Sequence, residues 1–206
     1  MKSELIAPSR LREKSAIPDC QIPDALAPIL GAHMEADGLS DIERIMLACD
    51  GTFTFQLEAF MREPVEVDIL DYELRPAGEK PAAILDAEAG ASMWERKVLL
   101  RGAKTGTPFV FAHSFIDVDR LPAALARDLE ASPAGIGRLF VDYRLSIYRE
   151  LVGYFFEDGS NYAPFFPDRE QLSFLARVYR VTFHGRPVML ITEKMPRDLF
   201  STSVTI

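Results

Sequence analysis

The 206-residue sequence predicts an α+β fold: a single, mainly antiparallel sheet of about six strands, with helices over one face. Three observations carry this reading. Segments with period-two alternation of apolar and polar residues recur from Pro64 towards the C-terminus. Neighbouring strand segments meet at short turn-forming stretches such as His184-Gly185-Arg186. The helical segments between strands are single and short, without the strand–helix–strand rhythm of a parallel sheet.

Residues 1–21 mix charge and proline without periodicity and predict a loosely held arm, which leaves 22–206 as one domain. A helix is expected after Pro23, where Leu26, Ile29 and Leu30 fall at helical spacing. Ser40-Asp41-Ile42-Glu43 spells a capping box, followed by an apolar stripe of Ile42, Ile45, Met46 and Cys49. Asp50-Gly51 breaks that helix, and Thr52 caps a short third one through Phe60.

The first strand alternates Val65, Val67 and Ile69, then continues on Leu70, Tyr72 and Leu74, a one-residue slip that predicts a β-bulge. Residues 76–91 read as an Ala/Gly-rich loop. The strand holding Trp94 to Gly102 turns through residues 103–107 into Pro108–Phe115. Leu121-Pro122 opens a helix to about Glu130, and a further helical turn covers Ile136 to Asp142. A strand from about Leu145 to Phe156 precedes a Gly/Asn/Pro-rich loop over 158–168. Two final strands, about Leu172 to Phe183 and Pro187 to Met195, form a hairpin.

Composition narrows the function. An apolar content of 48% supports an ample core. No apolar run approaches the roughly 18 residues of a membrane span, and Met1-Lys2-Ser3-Glu4-Leu5 lacks the apolar segment of a signal peptide. The expectation is a cytoplasmic protein that does not bind membranes. A formal net charge of −8 argues against nucleic acid as the partner but leaves room for a local basic site. Cys20, Cys49, His33, His113 and His184 show no metal-ligand spacing, so no metal is expected. There is no P-loop, dinucleotide-binding glycine pattern or serine-hydrolase elbow.

What remains is charge on apolar strand faces. Arg96 shares a face with Trp94, Val98 and Leu100, and Glu193 shares one with Met189, Ile191 and Met195. An unpaired buried arginine costs several kcal/mol, so Arg96 calls for an anion: Glu193 itself, or a carboxylate carried by a ligand. Arg177 and Arg180 fall on opposite faces of their strand, so at most one points the same way as Arg96. His113 reads either as a satisfied core histidine or as an acid–base group, and Phe53 and Phe55 as core.

The order of the capping-box helix, Asp50-Gly51-Thr52-Phe53-Thr54, Trp94-Glu95-Arg96-Lys97-Val98-Leu99-Leu100, Pro108-Phe109-Val110-Phe111-Ala112, Ile136-Gly137-Arg138-Leu139-Phe140 and Pro187-Val188-Met189-Leu190-Ile191-Thr192-Glu193 resembles the chorismate lyase family. It resembles more closely the chorismate pyruvate-lyase-like branch of actinobacterial and cyanobacterial secondary metabolism. The resemblance spans residues 24–197. It implies helical flaps over a closed, water-poor cavity, and conversion of chorismate to 4-hydroxybenzoate and pyruvate without metal or cofactor. On the matching positions, Arg96 would receive the ring carboxylate and Glu193 would meet the oxygen at ring position 4. The Phe53 backbone would close over the ligand, and Ala112 would make a tight wall. His113, next to Ala112, departs from the family pattern.

Chorismate carries a second, pyruvyl carboxylate, and Arg180, ahead of Arg177, is the residue expected to hold it. The implied partner is therefore a dianionic small molecule, bound by a monomer or a small homo-oligomer. Two other readings keep the fold: a divergent biosynthetic enzyme, such as a cyclase or isomerase, and a non-catalytic ligand-binding domain like those of transcription factors.

Overall fold

Six strands among the described residues pair into one sheet: β1 (Val65–Pro76), β2 (Ser92–Gly102), β3 (Pro108–Ile116), β4 (Ile147–Asp158), β5 (Ser173–Phe183) and β6 (Arg186–Pro196). Their spatial order is β1-β2-β3-β6-β5-β4, and every pairing is antiparallel. The structure is a computed structural model that describes residues 17, 18, 22–24, 26, 38–131, 135–169 and 171–200. The predicted arm and most of the helix expected after Pro23 lie outside them; Ile22, Pro23, Asp24 and Leu26 are described and are not helical.

Local sequence explains most of this topology. His184 and Gly185 both take positive φ, 49° and 75°, as a two-residue hairpin turn with the right twist requires. The slip in β1 is a bulge: Ile69 pairs with Val98 and Asp71 with Lys97, leaving Leu70 as the extra residue. A second irregularity separates Leu151 from Gly153 in β4. Residues 76–91 are not all loop, because α3 (Glu79–Ile84) forms within them. The loop expected after Asp158 holds a 3₁₀ turn, Ser160–Phe165.

Four helices cover the face that carries Arg96: α1 (Asp41–Ala48), α2 (Phe53–Met61), α4 (Ala123–Ala131) and α5 (Ile136–Asp142). A short α6 (Arg197–Phe200) follows β6. The capping box is intact: Ser40 Oγ accepts from Glu43 N at 3.1 Å, and Glu43 Oε2 accepts from Ser40 N at 2.7 Å. Thr52 stands at the N-cap of α2, but its side chain makes no capping bond. Leu47 and Leu57 are fully buried, and such side chains contribute about 1.5–3 kcal/mol each. They anchor α1 and α2 to the sheet, whereas Ile45, expected in the apolar stripe of α1, is 58% exposed.

The opposite face is covered too. Ala82 of α3 and Leu85 pack with Ala176, Val178 and Leu190, while Tyr162 and Phe166 pack with Leu99, Phe111 and Phe174. The central strands are thus buried on both faces, and β2, β3, β5 and β6 carry few exposed side chains.

Candidate active site

Arg96 projects from the middle of β2, paired with Tyr72 on one side and Ser114 on the other. It is 2% exposed, and its Nε and Nη2 have no hydrogen-bond partner. Those two nitrogens form one edge of the guanidinium, the edge whose N–H pair matches the two oxygens of a carboxylate. Burial pulls its pKa down to about 10, with Tyr72 opposing that shift, so the group remains a cation at neutral pH. A buried cation with an unused bidentate edge is chemically suited to receive an anion.

Glu193 is not its partner. In β6 it pairs with Ala112 of β3 and with Arg177 of β5. Arg177 Nε donates to Glu193 Oε2 at 2.7 Å, and the Tyr179 hydroxyl donates to Oε1 at 3.1 Å. Arg177 Nη1 also donates to the carbonyls of Met46 and Cys49, at 2.7 and 3.0 Å, tying the end of α1 to the sheet. Its guanidinium lies 4.2 Å from the Phe53 ring centroid. Burial acts to lower the Arg177 pKa, but the Glu193 carboxylate together with Tyr179 and Cys49 more than offsets it, so the net shift is upward. The Tyr179 phenol is pushed up by burial and by Glu193, and so keeps its proton to donate.

Arg96 and Glu193 meet in one cavity with about 40 Å³ of space open to the centres of water molecules. One water takes roughly 10–15 Å³ on that measure, so a ten-carbon ligand requires the covering helices to give way. Val98, Ala112 and Ile191 form an apolar floor, and Phe53, Ile136 and Phe140 supply the roof. The roof closes tightly at Gly137: a Cβ there would stand 2.7 Å from Thr52 Cγ2.

Of the residues singled out in the sequence, Arg96, Glu193, Phe53 and Ala112 line this cavity. His113 and Arg180 do not. Strand alternation turns His113 to the far face, where its Nε2 lies 2.7 Å from Glu95 Oε1. Burial lowers the His113 pKa, and its hydrogen bond, with Lys97 and Arg75 nearby, holds Glu95 down at about 2. Arg180 also faces away, bonded to Glu150 Oε2 at 2.7 Å and to the Ile84 carbonyl. The expectation that it holds a second carboxylate in this cavity is therefore corrected: of the two β5 arginines, Arg177 turns towards Glu193.

The lining residues that were not anticipated include Ser114, Tyr179 and Arg149. The last carried a readable signal, since Arg149 shares a strand face with apolar Ile147 and Leu151, as Arg96 does with its apolar neighbours.

Comparison with known proteins bears on the fold and on the family. The structure is similar to the effector domain of PhnF from Mycobacterium smegmatis, with a TM-score of 0.56 and 11% identity over 72% of this chain and 90% of that one. It is also similar to a GntR-family transcriptional regulator from Bacillus cereus, with a TM-score of 0.52 and 16% identity over 69% and 98%. These likenesses concern the fold. In sequence, the chain is 30% identical to a chorismate pyruvate-lyase of Mycobacterium leprae over 162 residues, 76% of this chain and 75% of that protein. It is 26% identical to one from Mycobacterium tuberculosis over 160 residues, 76% and 80% of the two chains. The family described as Chorismate pyruvate-lyase Rv2949c-like matches residues 47–202. The chain belongs to the Rv2949c-like chorismate pyruvate-lyase family.

Proposed function

We propose that this protein is a chorismate pyruvate-lyase that forms 4-hydroxybenzoate. The observation that carries the reading is the unpartnered edge of Arg96 in the wall of an otherwise apolar cavity. The names of the curated relatives supply the substrate class.

In this reading the ring carboxylate of chorismate takes both free N–H groups of Arg96. Glu193 lies two strands across and two residues along, about 12 Å from Arg96 between backbone positions by ordinary sheet spacing. That span accommodates the arginine side chain and a ring substituted at opposite ends. The oxygen at ring carbon 4 then falls beside Glu193, which is held in place by Arg177 and Tyr179.

The elimination balances without a redox partner. The C4–H bond breaks, its electron pair forms the C3–C4 ring double bond, and the C3–O bond breaks. The enolpyruvate leaves with that bond's electrons and takes a proton on its methylene carbon to become pyruvate. Glu193 acts as the base for the C4 proton or as an acceptor for the 4-hydroxyl, and in both roles its position is fixed before substrate arrives. Aromatisation drives the step, so the protein's task is orientation and charge stabilisation in a site closed to water.

The test is to incubate purified protein with chorismate and follow both products. Equimolar pyruvate and 4-hydroxybenzoate above the spontaneous rate support the reading. Neither product, in protein whose melting temperature still rises with 4-hydroxybenzoate, overturns it in favour of a ligand-binding domain.

A further inference from the structure

Once Arg177 is committed to Glu193 and Arg180 faces away, the second carboxylate of a dianionic substrate still needs a cation. Among the described cavity-lining residues the cations are Arg96 and Arg149. Arg149 stands in β4 opposite Val181, half-buried, at the rim of the cavity. Its Nη1 donates to the Asp50 carbonyl at 3.2 Å, and its guanidinium lies 5.7 Å from the centre of the Phe140 ring. Among the described residues no carboxylate is paired with it. It therefore touches both parts of the roof, the α1–α2 connection and α5, while its charge remains uncommitted.

Its place along the cavity matters. Its strand, β4, lies two strands from the β6 strand of Glu193 and four from the β2 strand of Arg96, and Arg149 faces Val181, two residues along β5 from Tyr179, whose hydroxyl donates to Glu193. Arg149 thus belongs to the Glu193 end, away from the buried edge of Arg96. In chorismate the enolpyruvyl ether is on ring carbon 3, next to the carbon 4 that faces Glu193 in the orientation above. The ether carboxylate is delivered to that same end.

We infer that Arg149 binds the carboxylate of the enolpyruvyl ether and releases it with pyruvate. The inference rests on the chorismate orientation proposed above. The two carboxylates are thereby treated differently. The ring carboxylate is held deep by an arginine with an unused bidentate edge, and the ether carboxylate is held at the rim by an arginine that also ties the roof. After elimination the second carboxylate is no longer attached to the ring. Pyruvate departs from the rim while 4-hydroxybenzoate remains on Arg96.

The test compares two stable aromatic ligands, 3-(carboxymethoxy)-4-hydroxybenzoate and 3-methoxy-4-hydroxybenzoate, which share the ring carboxylate and the 4-hydroxyl and differ in the second carboxylate. Titration calorimetry on the wild-type protein should show the dianion binding about tenfold more tightly at low salt, with the preference shrinking as salt rises. Arg149→Met should reduce the ratio to about one without weakening the methoxy ligand, and Arg149→Lys should keep part of it. A ratio unchanged in Arg149→Met overturns the inference, as does an equal weakening of both ligands, which would mark Arg149 as a tie for the roof alone. Should the methionine variant not fold, Arg149→Lys decides: a ratio identical to wild type overturns the inference. Failure of the lyase reading is separate, since it appears as absent turnover with the binding ratio intact.

Discussion

Arg177 Nε and Glu193 Oε2 lie 2.7 Å apart across the β5–β6 hairpin, with side chains 1% and 8% exposed. The pair holds the carboxylate at its place in the cavity wall, and the same guanidinium fastens α1 through two backbone carbonyls. Arg177→Met leaves Glu193 buried without its cation, and breaking such a pair costs about 3–5 kcal/mol. Urea denaturation should show that loss, and Arg177→Met combined with Glu193→Leu should recover much of it. Additive losses in the double variant would contradict the coupling.

Glu193→Gln preserves size but removes the charge. For a glutamate that takes the C4 proton, kcat should fall by about 10²–10⁴ while KM for chorismate changes little. A rise in KM with kcat unchanged would instead assign Glu193 to substrate binding alone.

The roof offers a steric test. Gly137→Ala places a methyl carbon 2.7 Å from Thr52 Cγ2, so one of the two roof segments must shift. Affinity for 4-hydroxybenzoate should fall by about tenfold, and adding Thr52→Ser, which removes that methyl, should restore it. Unchanged affinity in Gly137→Ala would show that closure at this point does not govern binding.

The far face gives a prediction in pH. Glu95 is held near 2 by its hydrogen bond with His113, and burial lowers His113. Both groups bind protons more readily in the unfolded chain, so their contribution is present above their unfolded pKa values and is lost on acidification. Stability should decline as pH falls from about 6.5 towards 2. His113→Gln should make the decline between pH 6.5 and 5 shallower and leave turnover within about threefold, since the ring faces away from the cavity. A large loss of turnover would place His113 in the reaction.

Period-two alternation was enough to put Arg96 and Glu193 on faces that prove to be one wall, because both central strands are regular through those positions. The partner of Glu193 was harder to read. Counting back from the two-residue turn, where Phe183 faces Arg186, places Ala176 opposite Glu193. A register shift between Val181 and Thr182 moves Arg177 there instead. Pro187, which cannot donate to the ladder, stands at that shift, but it does not say by how many residues the register moves. Nor does the sequence say how the roof segments close on the sheet, because the tight approach of Gly137 to Thr52 joins residues 85 positions apart. Arg180 was misplaced for a simpler reason: alternation showed that at most one of the two β5 arginines points the same way as Arg96, but not which.

The most direct test of the account is the melting temperature of wild type and Arg96→Met, each with and without 4-hydroxybenzoate. Burial lowers the Arg96 pKa to about 10, so at pH 7 the folded protein carries a charge whose Nε and Nη2 lack partners. That cost persists until pH rises above about 10, and only an anion relieves it at neutrality. Removing the charge should leave the unliganded protein as stable as wild type or more so, by about 1–3 kcal/mol, and should abolish the rise caused by ligand. An Arg96→Met protein that melts below wild type without ligand, or still responds fully to 4-hydroxybenzoate, would contradict the claim that Arg96 is a carboxylate site.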